Sequence, residues 1–289
     1  MKIGFAGLGV MGGPMARHLV QTGHEVAGFN RSPDKAHAWA EATGGRFAAT
    51  VAEASTSAEL LILCVGNDED VRQVVTEALA HLAPGAVIVD HTTTSARVAR
   101  EMAALAAGTG RAFIDAPVSG GQAGAENGQL SVMAGGDEVA LARVEATLMA
   151  YSKAVKHMGP SGSGQLTKMV NQIAIAGVVQ GLAEAVHFAE VAGLDTTAAY
   201  DAISKGAAQS WQMDNRWKTM AEGQFEFGFA VDWMRKDLGL VLDEARSNGA
   251  HLSLTALVDQ FYSEVQAMGG ARWDTSSLAA RLQDRARKP

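Results

Sequence analysis

The stretch Lys2-Ile3-Gly4-Phe5-Ala6-Gly7-Leu8-Gly9-Val10-Met11-Gly12-Gly13-Pro14-Met15-Ala16 decides the fold. An apolar run of strand length, Ile3 to Ala6, leads into Gly7-x-Gly9-x-x-Gly12, and a helical run follows from Met11 to Gln21. Each glycine has its own task in a dinucleotide-binding turn. Gly7 permits the tight turn, Gly9 lets backbone approach a pyrophosphate, and Gly12 packs the helix on the strand. The N-terminus of that helix favours the negative charge of the phosphates. The glycine spacing by itself reads equally as a ligand-free turn; the strand before it and the helix after it make it specific.

The same rhythm continues outward. Glu25 to Phe29 is followed by a helical stretch from Pro33 to Ala42, Leu60 to Val65 by Asp68 to His81, and Ala86 to Asp90 by Ser95 to Ala107, before Ala112 to Asp115. Such alternation predicts a mostly parallel sheet covered on both faces. After Met158 the turn cluster Gly159-Pro160-Ser161-Gly162-Ser163-Gly164 ends the strand-like runs. From Gly164 to Val191 no proline interrupts a helical spacing of Leu166, Met169, Val170, Ile173, Ala174, Gly177 and Val178. Further helices are expected at Thr196–Ser204, Val231–Ser247, Ser253–Met268 and Ser276–Arg287. The fold class is therefore α/β: an N-terminal Rossmann-type doubly wound domain, then an all-α C-terminal domain joined by a long helix. The expected division is residues 1–161 for the cofactor and 162–289 for substrate and oligomerisation.

Composition narrows the partners. Lys plus Arg number 24 and Asp plus Glu 31, a net charge of −7, so no basic face for nucleic acid is expected. Apolar residues make up 47% and charged ones 19%, with 32 glycines, the profile of a compact globular protein. The single Cys64 lies in an apolar run and has no intrachain disulfide partner, which fits a reducing cytoplasm. Glycines break the N-terminal apolar stretch, and no run of about 18 apolar residues occurs, so neither a signal peptide nor a membrane partner is expected. The eight histidines are scattered without ligand spacing, so no metal is expected.

At the end of the second strand, an Asp or Glu would bind the adenosine ribose of NAD; here stands Asn30, followed by Arg31 and Ser32. A guanidinium fork and a hydroxyl suit a 2′-phosphate, so NADP(H) is favoured over NAD(H). Read structurally, Asn30 and Ser32 would only turn the chain and cap the helix opened by Pro33. Further on, Asp115-Ala116-Pro117-Val118-Ser119-Gly120-Gly121 closes another strand. Ser119 with the amides of Gly120 and Gly121 offers a donor cluster able to hold a carboxylate, although Ser-Gly-Gly alone is more often only a turn. Lys168, Asn171 and Gln172 stand at i, i+3 and i+4 on the long helix and so share a face. Lys236-Asp237 by itself reads as surface charge.

Taken together, these motifs resemble the β-hydroxyacid dehydrogenase family, the group of 3-hydroxyisobutyrate dehydrogenase, tartronate semialdehyde reductase and the plant glyoxylate/succinic semialdehyde reductases. The resemblance spans nearly the whole chain: Gly7–Gly12, Asp115–Gly121, Gly159–Gln172 and Lys236-Asp237-Leu238 occur in the family's order. It implies that Lys168 is catalytic, that Ser119, Gly120 and Gly121 bind the substrate carboxylate with Asn171 and Gln172 nearby, and that Thr93 and Lys236 touch the cofactor. It places Val65 and Asn67 beside the cofactor too, along with the Gly7-Leu8-Gly9-Val10-Met11-Gly12 loop. Many members carry Asn-Asn where this chain has Asn171-Gln172, a pairing similar to that of the tartronate semialdehyde reductases, whereas Asn30-Arg31-Ser32 is similar to the NADP-using plant enzymes. A homodimer or homotetramer is expected.

The chemistry follows from the groups themselves. Hydride transfer to a carbonyl leaves a nascent alkoxide that needs a proton or a positive charge, and Lys168 can supply both, while Gln172 could donate to a substrate oxygen. The expected enzyme is an NAD(P)-dependent oxidoreductase acting on a small semialdehyde or hydroxyacid. An imine reductase on the same scaffold and a non-catalytic dehydrogenase-like module are the alternatives. The Lys at position 168 and the intact glycine loop speak against each respectively.

Overall fold

Leu60-Leu61-Ile62-Leu63 form a strand whose four side chains are all fully buried. They alternate across the sheet. Leu60 and Ile62 join Ile3, Phe5, Val87, Val89 and Ile114 on one face, whereas Leu61 and Leu63 join Ile88, Val75, Val98 and Met102 on the other. A strand apolar on both sides needs helices over both, and each fully buried Leu contributes about 1.5–3 kcal/mol.

The structure, a computed structural model, describes the backbone of residues 1–287 and the side chains of residues 1–283. The chain divides into two compact units, Met1–Lys168 and the residues from Met169 on. In the first, the elements run β1 (Lys2–Ala6), α1 (Gly12–Gln21), β2 (Glu25–Phe29), α2 (Pro33–Thr43), β3 (Arg46–Phe47), α3 (Val51–Ser55), β4 (Leu60–Leu63), α4 (Asp68–Leu79), β5 (Val87–Asp90), α5 (Ala96–Ala107) and β6 (Ala112–Asp115). Then come β7 (Val118–Ser119), α6 (Gly121–Glu126), β8 (Leu130–Gly135), α7 (Glu138–Leu148), β9 (Ser152–Gly159) and the start of α8 (Ser163–Val191). The strand order is β3-β2-β1-β4-β5-β6-β8-β7, with β9 on β8. Strands β3 through β6 are parallel, as expected, and β8 runs antiparallel to β6 and β7. The order reverses between β1 and β4, so the crevice for a ligand of an open α/β sheet lies at their carboxyl ends.

Residues 116–159, for which spacing predicts no elements, fold as β7 to β9 with two helices. Glycines 120, 121, 124 and 128 dilute the apolar pattern there, and β9 leaves Lys153 and Lys156 exposed, which suits an edge strand and hides it from a search for apolar runs. The two-residue β3 and five-residue α3 are too short to show a period. Strand β4 ends at Leu63, so Cys64 and Val65 belong to the following loop and are half-buried.

In the second unit α8 continues, followed by α9 (Thr196–Ile203), α10 (Trp211–Ala221), α11 (Val231–Asn248), α12 (Ser253–Ala267) and α13 (Leu278–Arg287). A short 3-10 turn at Thr275–Ser277 precedes α13, where a single helix from Ser276 is expected from the sequence. The buried stripe of α8 in this unit is Met169, Gln172, Ala176, Val179, Ala183 and Val186, while Val170, Ala174 and Val178 face outward, contrary to their place in the expected stripe. The apolar letters are so dense here that several phases fit; Met213, Trp217, Met234, Leu238 and Tyr262 select the one that packs. By length and mean hydropathy α8 could cross a membrane, but Lys168, Asn171, Gln172 and Glu184 interrupt it and its stripe is core of this unit. Of the aromatic residues, Trp217 and Phe225 are core, whereas Trp211, Phe227, Phe229 and Trp233 are substantially exposed.

Candidate active site

The loops that leave β1, β2, β4, β5 and β6 all emerge at one edge of the sheet, because parallel strands share a direction. That edge carries Gly7–Gly12, Asn30–Ser32, Val65 and Asn67, Thr93, and Ser119–Gly121. Gly7 has φ +102°, and a Cβ there would strike the Cys64 carbonyl; a Cβ on Gly12 would strike the Gly7 carbonyl. Both glycines are thus demanded by the protein's own packing. Gly9 differs: it has no such backbone conformation, and a Cβ would meet nothing within 4 Å. The packing of the described residues does not demand a glycine there, and the space beside it is open.

Asn30 Oδ1 accepts from the Leu8 amide at 3.0 Å, and its Nδ2 donates to the Ser32 carbonyl at 3.2 Å. Asn30 therefore holds the glycine loop on β2. Ser32 occupies the N-cap position of α2, but its side chain makes no capping bond. Arg31 is 89% exposed and reaches Asp70 Oδ1 at 3.5 Å, a pair of little energetic weight. Asn67 caps α4 by accepting from the Asp70 amide at 2.9 Å.

Beneath this edge lies a buried polar network that the motifs do not reveal. Asp115, at the end of β6, accepts from the Gly162 and Gln165 amides at 2.7 and 3.0 Å, binding the first turn of α8 to the sheet. Burial pushes its carboxyl up to about 6, against the pull of those backbone donors. Gln165 donates to the Thr92 carbonyl at 2.7 Å and accepts from the Thr94 amide at 3.0 Å, while Thr92 Oγ1 accepts from the Val65 amide. The loops after β4 and β5 are in this way fastened to α8. His91 sits between the Ala116 carbonyl at 2.6 Å and the Tyr151 hydroxyl at 2.7 Å, and burial lowers its pKa to about 4, so it stays neutral.

One turn after the Asp115 anchor, Lys168 points back into the unit. It is 9% exposed, and its Nζ donates to the Val118 carbonyl at 3.0 Å. The ammonium is thus brought beside the Ser119-Gly120-Gly121 turn, in which Gly120 and Gly121 have φ +133° and +60° and Ser119 is half-buried.

The family models match both parts of the chain. Residues 2–159 match the NAD-binding domain of 6-phosphogluconate dehydrogenase, and residues 162–282 match the NAD-binding domain of NADP-dependent 3-hydroxyisobutyrate dehydrogenase. The chain belongs to the β-hydroxyacid dehydrogenase family. An uncharacterized oxidoreductase of Shewanella frigidimarina is 61% identical over 98% of both chains, and a probable 3-hydroxyisobutyrate dehydrogenase-like protein of Arabidopsis thaliana is 38% identical over 98% of this chain and 85% of its own. The solved Mycobacterium tuberculosis 3-hydroxyisobutyrate dehydrogenase, determined with L-serine, superposes with a TM-score of 0.89 at 35% identity, covering 97% of this chain and 98% of that one. This β-hydroxyacid dehydrogenase is accordingly an NAD(P)-binding oxidoreductase of the 3-hydroxyisobutyrate dehydrogenase type, with a small molecule as substrate.

In the second unit, Asn171 and Gln172 lie on α8 and Lys236 on α11. Gln172 is 3% exposed. Its Nε2 donates to Asp237 Oδ2 at 2.7 Å and approaches Met234 Sδ at 3.6 Å, and its Oε1 accepts from Asn171 Nδ2 at 2.8 Å. The expectation that Gln172 donates to a substrate meets an amide whose donors are already turned inward. Asp237 is 3% exposed and Lys236 Nζ stands 3.2 Å from its Oδ1, so the Lys-Asp pair is not the surface charge that two letters suggest. Among the described residues no group of three metal-ligating side chains occurs.

Proposed function

We propose that the protein reduces a short carbonyl compound bearing a carboxylate, with NADPH as the preferred reductant and Lys168 as general acid. The single observation that carries this reading is the buried Lys168 with its Nζ 3.0 Å from the Val118 carbonyl, at the threshold of Ser119-Gly120-Gly121. Gly7, Leu8, Gly9, Val10, Met11, Gly12, Asn30, Val65, Asn67, Thr93 and Lys236 would hold the cofactor, with Arg31 and Ser32 on its 2′-phosphate. Residues 1–161 serve the cofactor, and residues 162–289 serve substrate and self-association as a homodimer or homotetramer, for which exposed Phe188 and Val191 offer an apolar surface. The single Cys64 suits a cytoplasmic setting.

NADPH supplies the hydride when bound. Ser119 and the amides of Gly120 and Gly121 hold the substrate carboxylate, and Asn171 orients it. Lys168 keeps a proton at Nζ and releases it to the carbonyl oxygen as the new C–H bond forms, and solvent restores that proton afterwards. In the reverse direction neutral Lys168 takes the hydroxyl proton. L-serine, named with the M. tuberculosis structure, is itself a carboxylate with a hydroxyl on its β carbon, which supports a substrate of the 3-hydroxyisobutyrate, tartronate semialdehyde, succinic semialdehyde or glyoxylate class.

The test compares kcat/KM, with NADPH and with NADH, for methylmalonic, tartronic and succinic semialdehydes and glyoxylate against neutral aldehydes and cyclic imines of similar size. Donors left without their anion should cost neutral compounds ~10³-fold. A neutral aldehyde equal to the best acid contradicts the carboxylate site, and a cyclic imine that exceeds it replaces the reading with an imine reductase.

A further inference from the structure

Gln172 uses its whole amide inside the protein. One face of the group goes to Asp237 and Met234, and the other accepts from Asn171. Asp237 fixes which way that amide lies: a carboxylate only accepts, so Nε2 must face it and Oε1 must face away. Oε1 in turn requires a donor from Asn171, so Asn171 presents Nδ2 inward and keeps Oδ1 outward, where no described residue donates to it. Lys236 Nζ stands 3.2 Å from Asp237 Oδ1 at the far end. Because Asp237 and Gln172 are each 3% exposed, the order is enforced in a poorly solvated place, where an unmet amide or carboxylate is costly.

We infer that Asp237 and Gln172 are positioning residues that fix the polarity of Asn171, the amide assigned above to the substrate. The inference rests on the carboxylate-substrate reading above. The chemical consequence is a fixed polarity: Asn171 offers an acceptor to the substrate, with only its second N–H as donor. A substrate with a hydroxyl beside the reacting carbon, such as tartronic semialdehyde, can donate to Asn171 Oδ1; methylmalonic semialdehyde, with a methyl there, cannot.

The test is a mutant cycle with the full-length protein, reading kcat and KM for tartronic and methylmalonic semialdehydes, the Kd of NADPH by fluorescence, and the melting temperature. Asn171→Ala should lower kcat/KM on tartronic semialdehyde by ~10²-fold, the loss that follows when a substrate hydroxyl is left unpaired, and lower it on methylmalonic semialdehyde far less. Gln172→Leu should cost roughly 10-fold, and Asn171→Ala/Gln172→Leu no more than Asn171→Ala alone, since residues acting in series are not additive. NADPH Kd should stay within about twofold throughout. Should Gln172→Leu fail to fold over a bare Asp237, Gln172→Glu carries the test: alone it sets two carboxylates together and should lose activity by ~10²-fold or more, while Gln172→Glu/Asp237→Asn restores the bond with its ends exchanged and should recover to within about fivefold of wild type. Losses that multiply, an exchanged pair no better than Gln172→Glu, or equal losses on the two aldehydes overturn the inference while leaving the enzyme's function in place. A wild-type protein that reduces neither acid removes the functional reading and this inference with it.

Discussion

The two units hold their polar residues in opposite ways. At the sheet edge of the first unit the groups that face the crevice are largely backbone: glycine carbonyls and amides, the Leu8 amide on Asn30, the Val118 carbonyl under Lys168. The supporting side chains beneath, Asp115, Gln165 and Thr92, also bond to backbone. In the second unit the arrangement is side chain to side chain, from Lys236 through Asp237 and Gln172 to Asn171. Backbone sites need particular φ angles and close approaches, which leave glycines in the sequence. Side-chain chains need partners brought together by folding, 65 residues apart for Gln172 and Asp237, and leave no local mark.

The largest effect expected from this contrast separates two glycines of one loop. Gly12→Ala drives a methyl into the Gly7 carbonyl and should lower stability by about 3 kcal/mol or more, read by denaturant unfolding. Gly9→Ala has open space and should leave stability within about 0.5 kcal/mol while raising the Kd of NADPH ~10-fold or more. Equal stability losses would show that Gly9 is also a packing glycine, and the cradle argument would fall.

A pH series sharpens the account of the first unit. His91 is held neutral with its pKa depressed to about 4, so its contribution is present above the ordinary histidine value near ~6.5 and is lost as pH falls through about 4. Asp115, raised to about 6, has the opposite sign: its contribution is full below the ordinary carboxylate value near ~3.9 and is lost as pH rises through about 6. The stability cost of His91→Gln should therefore shrink by up to about 3 kcal/mol between pH 7 and pH 4. A cost independent of pH would show that His91 is not the group titrating.

The smallest effect belongs to Arg31. Its guanidinium is exposed and already near Asp70, so Arg31→Ala should raise the NADPH KM by only ~5- to 30-fold and leave the NADH KM unchanged. Equal changes for both cofactors would remove Arg31 from the 2′-phosphate.

How much could be read beforehand follows the same division. The β1 strand, the Gly7–Gly12 turn and α1 were legible because three requirements coincide within twenty residues, and the parallel order of β1 to β6 followed from alternation. The Asp115 motif was visible, but its role as the anchor of α8 was not: the partners are the Gly162 and Gln165 amides, 47 and 50 residues on. The apolar spacing turns Val170 and Val178 inward on α8, whereas both face outward, because an apolar-rich helix has no unique phase until its neighbours choose one. Asp237 looked like surface charge because burial of a carboxylate depends on donors that its own segment does not display.

Single-turnover reduction by Lys168→Ala with saturating NADPH is the most direct test of the proposal that Lys168 carries the proton to the carbonyl oxygen. The expected rate is at least ~10²-fold below wild type, with the Kd of NADPH and the melting temperature little changed. A variant that keeps more than about a third of the wild-type rate would contradict it, since loss of a true general acid is worth two orders of magnitude or more.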